Sequence, residues 1–176
     1  MKLAISLFIA IISGAAASLS AQIKIADPAL EFIFEAKVTL GVVQELGATA
    51  VGKRRIIPIT GGAFEGPNIK GIVLPGGADW QTVRADATAD LDARYTLQTD
   101  DGALIYIQNK GVRVIKPELA ARIGKGETVD PKEYYMRTAA TFEVADGKYA
   151  WLSKSVVVST GARLPDYVLL RFYKVL

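Results

Sequence analysis

The residue types in this chain limit the chemistry that it can carry out. Its 176 residues include no cysteine and no histidine. Without cysteine there are no disulfides, thiol nucleophiles or iron–sulfur ligands, and without histidine there is no imidazole base and almost no zinc site. Acid–base chemistry must therefore use Asp, Glu, Tyr, Lys or Arg. We expect neither a bound metal nor a cofactor.

Asp92 and Arg94 form the first candidate pair. They lie two residues apart in a segment that alternates strictly, with Leu91, Ala93, Tyr95 and Leu97 on the opposite face. The polar face either contacts solvent or lines the lumen of a barrel, where a carboxylate and a guanidinium could orient a polar ligand. We predict the second arrangement. The predicted ligand-binding side chains are Glu65, Trp80, Asp92, Arg94, Tyr106, Tyr135 and Arg137, with Tyr134 and Glu143 as further candidates; core packing remains the alternative for each aromatic.

The stretch ITGGAFEGPNIKGIVLPGGADW, residues 59–80, contains two Gly-Gly pairs. Glycine-rich loops that hold phosphate lie between a strand and a helix, whose N-terminus supplies free N–H groups. Here each pair lies between predicted strands. Glycine also permits positive φ and sharp bends, which barrels use at corners and bulges. We therefore interpret these glycines as part of the barrel geometry.

The elements that position these residues are mostly strands. Alternating or β-branched segments predict about eight strands, and turn signals separate them at short intervals. One short helix is predicted within KPELAARIGKG, over Pro117–Ile123, with proline in its first turn and Gly124 at its end. The predicted strands cover residues 30–40, 54–60, 69–74, 88–99, 103–115, 133–144, 154–160 and 167–176. Hairpin-length connections favour an all-β antiparallel meander barrel, with a β-sandwich as the alternative.

The N-terminus has the pattern of a secretory signal peptide. Lys2 precedes an apolar run over residues 3–17, followed by small residues with A-x-A-like cleavage sites. The run is shorter than the roughly 20 apolar residues of a membrane span. We predict a signal peptide at residues 1–21, a single barrel domain at 22–176 and a periplasmic or secreted protein with no membrane attachment after cleavage. The net charge of +3 is too small to indicate a nucleic-acid partner.

Five ordered motifs resemble one known family. They are GKRRIIPITGGAFEGP, VLPGGADWQ, LDARYTLQTDDGALIYIQNKG, VDPKEYYMRT and YAWLSKS, and the family is the domain of unknown function 3237, also called uncharacterised protein family 0311. The resemblance covers Leu30 to Leu176. It implies a small antiparallel barrel similar to calycin or allene-oxide-cyclase-like barrels, and it implies no settled activity. Ser153 departs from the family pattern, in which WLN is more usual, and the signal segment is an addition.

Three functions remain open on these observations. The first is an exported binding protein for a small, partly apolar, aromatic or oxygenated ligand. The second is a cofactor-independent isomerase, cyclase or lyase that uses carboxylates in the same pocket. The third is a structural or interaction protein with a filled barrel; a homo-oligomer is left open for all three. A lumen of roughly 300 Å³ or more would favour the first two functions.

Overall fold

The structure is a computed structural model that describes residues 25–176. The predicted signal peptide and its cleavage site lie outside the described residues. One helix, α1 (Pro117–Gly124), follows the seventh of ten strands. The strands are β1 (Leu30–Leu40), β2 (Gln44–Thr49), β3 (Gly52–Glu65), β4 (Lys70–Val73), β5 (Ala78–Val83), β6 (Ala89–Thr99), β7 (Leu104–Val114), β8 (Tyr135–Val144), β9 (Val157–Arg163) and β10 (Tyr167–Val175).

The strands close into an antiparallel barrel with eight strand positions. From β6 to β10 each strand pairs with the next along the chain, β10 pairs with β1, and β1 pairs with β3. β4 and β5 together fill the remaining position between β3 and β6. The predicted meander barrel is therefore confirmed, and the alternative of a β-sandwich is wrong. The predicted helix is also present, and Leu119, Ala120 and Ile123 pack against the core.

Two strands, β2 and β5, were not predicted. β2 pairs with the first part of β3, and all its residues are exposed, so it extends the sheet outside the barrel. β5 begins at Ala78, directly after the Gly76–Gly77 turn, in a segment that we had interpreted only as a turn. This strand matters most for the site, because it places Asp79 and Gln81 inside the barrel.

One glycine of each pair is required by a close backbone approach. Gly62 has φ of +140°, and a Cβ there would lie 2.0 Å from the carbonyl oxygen of Lys37 on the neighbouring β1. A Cβ at Gly77 would lie 2.3 Å from the carbonyl oxygen of Arg94 on β6. No side chain fits at either distance. The glycine-rich run therefore serves barrel closure, as the sequence indicated.

Phenylalanine fills one end of the barrel interior, which we call the apolar end. Phe34 is fully buried, and its ring centroid lies 4.5 Å from that of Phe172 and 5.5 Å from that of Phe64. Phe142 completes this cluster. Beside it, the carboxylate of Asp101 in the β6–β7 turn accepts hydrogen bonds from Lys148 Nζ at 2.8 Å and from the Tyr149 hydroxyl at 3.0 Å.

The orientation of β6 differs from the prediction. Its apolar face points into the barrel, where Leu91, Tyr95 and Leu97 are buried, and its polar face points outward. An inward polar face would bury two ionised groups, whereas the apolar face gains free energy from leaving water. Among the described residues no helix is long and apolar enough to cross a membrane.

Candidate ligand site in the barrel interior

The barrel interior has a second, polar end, opposite the phenylalanine cluster. A cavity of about 40 Å³ lies there, which holds only about three water molecules. This volume is well below the roughly 300 Å³ that would favour a ligand site, so cavity volume alone favours a filled barrel. The cavity is lined by Val38, Leu40, Ile57, Ile59, Asp79, Gln81, Leu91, Ala93, Tyr95, Asn109, Arg113, Met136, Thr138, Arg163, Val168 and Leu170.

The polar residues reach this cavity because of strand periodicity. Side chains two residues apart on a strand share a face, so β5 directs both Asp79 and Gln81 inward, and β7 does the same with Asn109 and Arg113. Arg163, at the last position of β9, reaches the cavity from a third side. Three alternate strands of the barrel wall, β5, β7 and β9, therefore contribute charged or amide groups to one small space.

A hydrogen-bonded chain links Arg55 to Asp79. Arg55 Nε donates to Gln81 Oε1 at 2.8 Å, and Gln81 Nε2 donates to Asp79 Oδ2 at 2.5 Å. The other oxygen of Asp79 accepts a hydrogen bond from the backbone N–H of Asp92 at 3.0 Å. This last bond lies where the β5–β6 pairing is interrupted between Asp79 and Thr82. Asp79 is therefore held in one orientation by both its oxygens.

Burial controls the protonation of Asp79. Desolvation raises the pKa of its carboxyl above the usual 3.8, although the hydrogen bonds from Gln81 and Asp92 and the positive charges of Arg55 and Arg113 oppose that rise. A carboxyl with a raised pKa retains its proton to higher pH, which is the property of a general acid. Carboxyls of this kind, held in a cavity beside cationic groups, are candidates for functional sites.

Three arginines lie at this end of the barrel: Arg113 and Arg163 line the cavity, and Arg55 connects to Asp79 through Gln81. Burial is the largest cause that lowers the pKa values of Arg55, Arg113 and Arg163. The positive charges of the neighbouring arginines lower the pKa values of Arg113 and Arg163 further. Arg163 Nη1 donates to the backbone carbonyls of Pro165 and Tyr167, and the Tyr134 hydroxyl accepts from the Arg163 N–H at 2.8 Å. These bonds fix Arg163 at the rim.

Three buried polar atoms at this end have no hydrogen-bond partner within residues 25–176. They are the hydroxyl of Tyr95, Oδ1 of Asn109 and Nε of Arg113. Their residues are 3%, 2% and 6% exposed. A buried polar group without a partner costs about 1–3 kcal/mol, so native proteins contain few of them. All three residues line the same cavity.

The residues predicted to bind a ligand lie elsewhere. The inward orientation of Asp92 and Arg94 is wrong: their side chains are 28% and 45% exposed on the outer surface. Arg94 donates to Asp92 there at 3.1 and 3.2 Å, and Gln108 donates to Asp92 at 3.0 Å. Partial burial raises the pKa of Asp92, but these hydrogen bonds outweigh it, and the net pKa is lowered. The pair is a solvent-facing ion pair.

The other five predicted residues are also absent from the interior cavity. Trp80 is 38% exposed on β5, between the two inward residues Asp79 and Gln81. The residues Glu65, Tyr135 and Arg137 are exposed, and Tyr106 is half-buried. Arg137 lies over the ring of Tyr135, 5.0 Å from its centroid. Whether any of them binds a ligand stays a prediction, but the structure does not bring the seven residues together.

Sequence reasoning missed most of the residues at the polar end, and a usable signal existed for some of them. Asn109 and Arg113 interrupt the inward face of β7, where isoleucine precedes them at positions 105 and 107. Polar residues on an otherwise apolar face are the informative exception. Asp79 gave no such signal, because β5 was not recognised as a strand. Tyr134 was a candidate, and it does lie at this end, bonded to Arg163.

Known proteins are similar to this chain over most of its length, and solved structures among them share its fold. The family model described as "Protein of unknown function (DUF3237)" matches residues 28–175. A UPF0311 protein of Clostridium acetobutylicum is 48% identical over 125 residues, which are 71% of this chain and 79% of the relative. The crystal structure of a beta-barrel like protein from Acinetobacter baumannii is 44% identical, with a TM-score of 0.78, and the match covers 88% of this chain and all of that one.

One more distant relative has a named activity. The hydroalkoxylation enzyme phnH of Penicillium herquei is 29% identical over 148 residues, which are 84% of each chain. Its name states an activity for that protein alone. The family model and the bacterial relatives span nearly the whole barrel that forms the polar end and the apolar end. This chain belongs to the DUF3237 family, whose bacterial members are named UPF0311 proteins.

Proposed function

We propose that this protein binds a small molecule at the polar end of the barrel. The observation that supports this most directly is the cluster of three buried polar atoms without partners, on Tyr95, Asn109 and Arg113. A barrel filled only for structural purposes would gain stability from apolar residues at these positions. A ligand that supplied the missing hydrogen bonds would offset the cost of burying them.

The cavity walls combine apolar and polar side chains, so the ligand that fits them has both an apolar part and a polar group. Val38, Leu40, Ile57 and Leu170 provide apolar surface beside the amide and guanidinium groups, as is typical of small-molecule sites. The small cavity volume means that the part of the ligand that enters contains only a few non-hydrogen atoms. We therefore retain the expected partly apolar, oxygenated ligand but place its polar group among the interior arginines.

Two adjacent residues on β7 provide a matched test of this proposal. Asn109 points into the cavity, and Gln108 points outward to Asp92. We expect native mass spectrometry of the purified protein to detect a bound small molecule in wild type and in Gln108→Leu, but not in Asn109→Leu. Equal retention by both variants would contradict the site. The proposal would also fail if wild type neither carried a molecule nor gained thermal stability from any member of a panel of organic acids, phenols and amides.

A second candidate function is proton-transfer catalysis at the same site. Two observations favour it: the raised pKa of Asp79 and the hydroalkoxylation enzyme among the relatives. Hydroalkoxylation adds an O–H group across a C=C bond. In that reaction protonated Asp79 would donate its proton to one alkene carbon, the substrate hydroxyl oxygen would bond to the other carbon, and the hydroxyl proton would return to Asp79. No cofactor or co-reactant is consumed.

The catalytic proposal is tested with a simple probe such as 2-allylphenol. We expect wild type to cyclise it, detected by liquid chromatography and mass spectrometry. Asp79→Asn should be slower by about a hundredfold or more, the typical contribution of a general acid. Asp92→Asn, on the outer face of the neighbouring strand, should retain the wild-type rate. Equal rates for Asp79→Asn and wild type, or no turnover by wild type, would count against catalysis without affecting the binding proposal.

Export remains part of the proposed function. The basic residue, apolar run and small residues of the N-terminal segment support it. Expression in a bacterial host should give a mature protein that begins between Ser18 and Ile23, as determined by N-terminal sequencing. A soluble cytosolic protein that still begins with Met1 would overturn this part of the proposal.

A further inference from the structure

The charges at the polar end are unbalanced. Arg55, Arg113 and Arg163 carry three positive charges, and Asp79 carries at most one negative charge, so an excess of at least two remains (3 − 1 = 2). Seven ion pairs occur among residues 25–176, and none includes any of these four side chains. Elsewhere on the described surface, arginines such as Arg84, Arg94 and Arg171 do pair with carboxylates.

The acidic groups near this end do not neutralise the excess. Glu45 on β2 and Asp166 in the β9–β10 turn act on Arg55 and Arg163 through space. Neither comes within the 4.0 Å that defines an ion pair. The charge of the innermost arginine, Arg113, is the least compensated. Among the charged groups that change its pKa, Arg55 and Arg163 act most strongly and Asp79 acts most weakly. A buried cation without a counter-ion is costly unless a bound anion supplies one.

We infer that the ligand is an organic anion whose charged oxygen binds the guanidinium of Arg113 and whose hydroxyl or N–H group, on another part of the molecule, donates to Asn109 Oδ1. This inference rests on the proposed function and specifies the ligand class. Arg113 Nε is a donor without an acceptor, and Asn109 Oδ1 is an acceptor without a donor. The two residues lie four apart on the inward face of β7, separated by Gly111, which has no side chain. A carboxylate has the paired oxygens that a guanidinium binds best, and a phenolate offers a single charged acceptor.

The apolar walls distinguish this ligand class from inorganic anions. Phosphate or sulfate would leave the surfaces of Val38, Leu40, Ile57 and Leu170 in contact with a strongly hydrated ion. A carboxylate or phenolate on a carbon skeleton places its charge at Arg113 and the few carbon atoms that enter the cavity against these walls. Tyr95, the third residue with an unpartnered atom, can then donate to the same anion or accept from the ligand, because a phenol hydroxyl does both.

The experiment compares carboxylates with amides of the same shape. Three pairs of compounds are titrated calorimetrically into the full chain as purified: acetate and acetamide, benzoate and benzamide, and 4-hydroxybenzoate and 4-hydroxybenzamide. We expect at least one carboxylate to bind about tenfold or more tightly than its amide, as a charge-assisted hydrogen bond to arginine predicts. Arg113→Gln should abolish that preference. Arg113→Lys, which keeps the charge, should retain part of it, and Arg171→Gln, on the outer face of β10, should retain all of it.

Each outcome decides the inference. Equal affinities for carboxylate and amide in wild type overturn the anionic class and leave the binding proposal intact, since a molecule still binds. A preference that survives unchanged in Arg113→Gln overturns the role of Arg113. If none of the six compounds binds, the inference is overturned. This result does not depend on whether Asn109→Leu retains a co-purified molecule. Because the carboxylate–amide ratio is measured on wild type, a variant that fails to fold does not affect the first of these results.

Discussion

The two ends of this barrel follow the same strand alternation and contain opposite chemistry. At the apolar end, Phe34, Phe64, Phe142 and Phe172 pack ring against ring. At the polar end the inward-facing side chains surround a small cavity and include Asp79, Gln81, Asn109, Arg113 and Arg163. The hydrogen bonds differ too: near the apolar end Asp101 is satisfied by three side-chain donors, on Lys148, Tyr149 and Thr99, whereas at the polar end three buried atoms have no partner within the described chain.

This difference separates stability from function within a single sheet. Buried aromatic surface contributes most of the favourable free energy of folding, so the apolar end holds the barrel together. Unpaired buried polar groups reduce that stability, and proteins retain them mainly where a site requires them. Substitutions at the two ends should therefore change the free energy of unfolding in opposite directions.

The largest effect is expected at the apolar end. Phe34→Ala removes a fully buried ring that contacts three other rings. Loss of the ring and the cavity left behind should lower the free energy of unfolding by about 3–5 kcal/mol. Chemical denaturation monitored by tryptophan fluorescence measures this. A loss below about 1 kcal/mol would show that the cluster is not the main source of stability.

The second prediction reverses the sign at the polar end. Arg113→Met keeps a long, flexible side chain but removes a buried, uncompensated charge. We expect the free energy of unfolding of the ligand-free protein to stay unchanged or rise by about 1–3 kcal/mol, while the proposed ligand binding is lost. The same denaturation experiment, with the same variant tested for binding, checks both. A marked loss of stability would mean that Arg113 is structural and would remove the contrast between the ends.

How much of this contrast could be predicted from sequence depends on the residue. The antiparallel sheet could be predicted, because alternation in β1 and β6 and the short turns indicate hairpin-connected strands, which favour a barrel over a sandwich. The face of β6 was assigned incorrectly because Asp92 and Arg94 suggested chemistry, although burial of Leu91 and Leu97 dominates the free energy. Asp79 could not be identified, since its strand follows a Pro-Gly-Gly turn, and only the register with β3 brings it next to Arg55 through Gln81.

The third prediction uses pH to compare Asp79 with Asp101. Burial raises the pKa of Asp79 above 3.8, so the folded protein holds that proton more tightly than the unfolded chain. Its contribution to stability is therefore full below about pH 3.8 and is lost as pH rises through the folded pKa. Hydrogen bonds from Lys148 and Thr99 lower the pKa of Asp101, so its contribution is present above the unfolded pKa and is lost as pH falls.

Unfolding by urea across acidic to neutral pH tests this pair. Asp79→Asn should gain stability relative to wild type as pH rises, because it removes a group that is most favourable when protonated. Asp101→Asn should lose stability relative to wild type over the same rise. Parallel pH profiles for wild type and Asp79→Asn would show that the Asp79 carboxyl is not desolvated in solution.

The smallest effect is expected from two of the buried tyrosines, Tyr95 at the polar end and Tyr149 near the apolar end. The Tyr95 hydroxyl is buried without a partner, so Tyr95→Phe removes an unsatisfied group and should leave the free energy of unfolding unchanged or raise it by about 1 kcal/mol. The Tyr149 hydroxyl donates to Asp101 at 3.0 Å, so Tyr149→Phe removes a satisfied bond and should destabilise the protein. Both substitutions delete one oxygen from a nearly buried ring, which makes them matched controls for each other.

If both variants lost stability equally, the Tyr95 hydroxyl would have a partner in solution, and a bound water or ligand at the polar end would be the first candidate. Adding 4-hydroxybenzoate then separates the two: a ligand role predicts that Tyr95→Phe binds it less tightly than wild type, and a water role predicts equal binding.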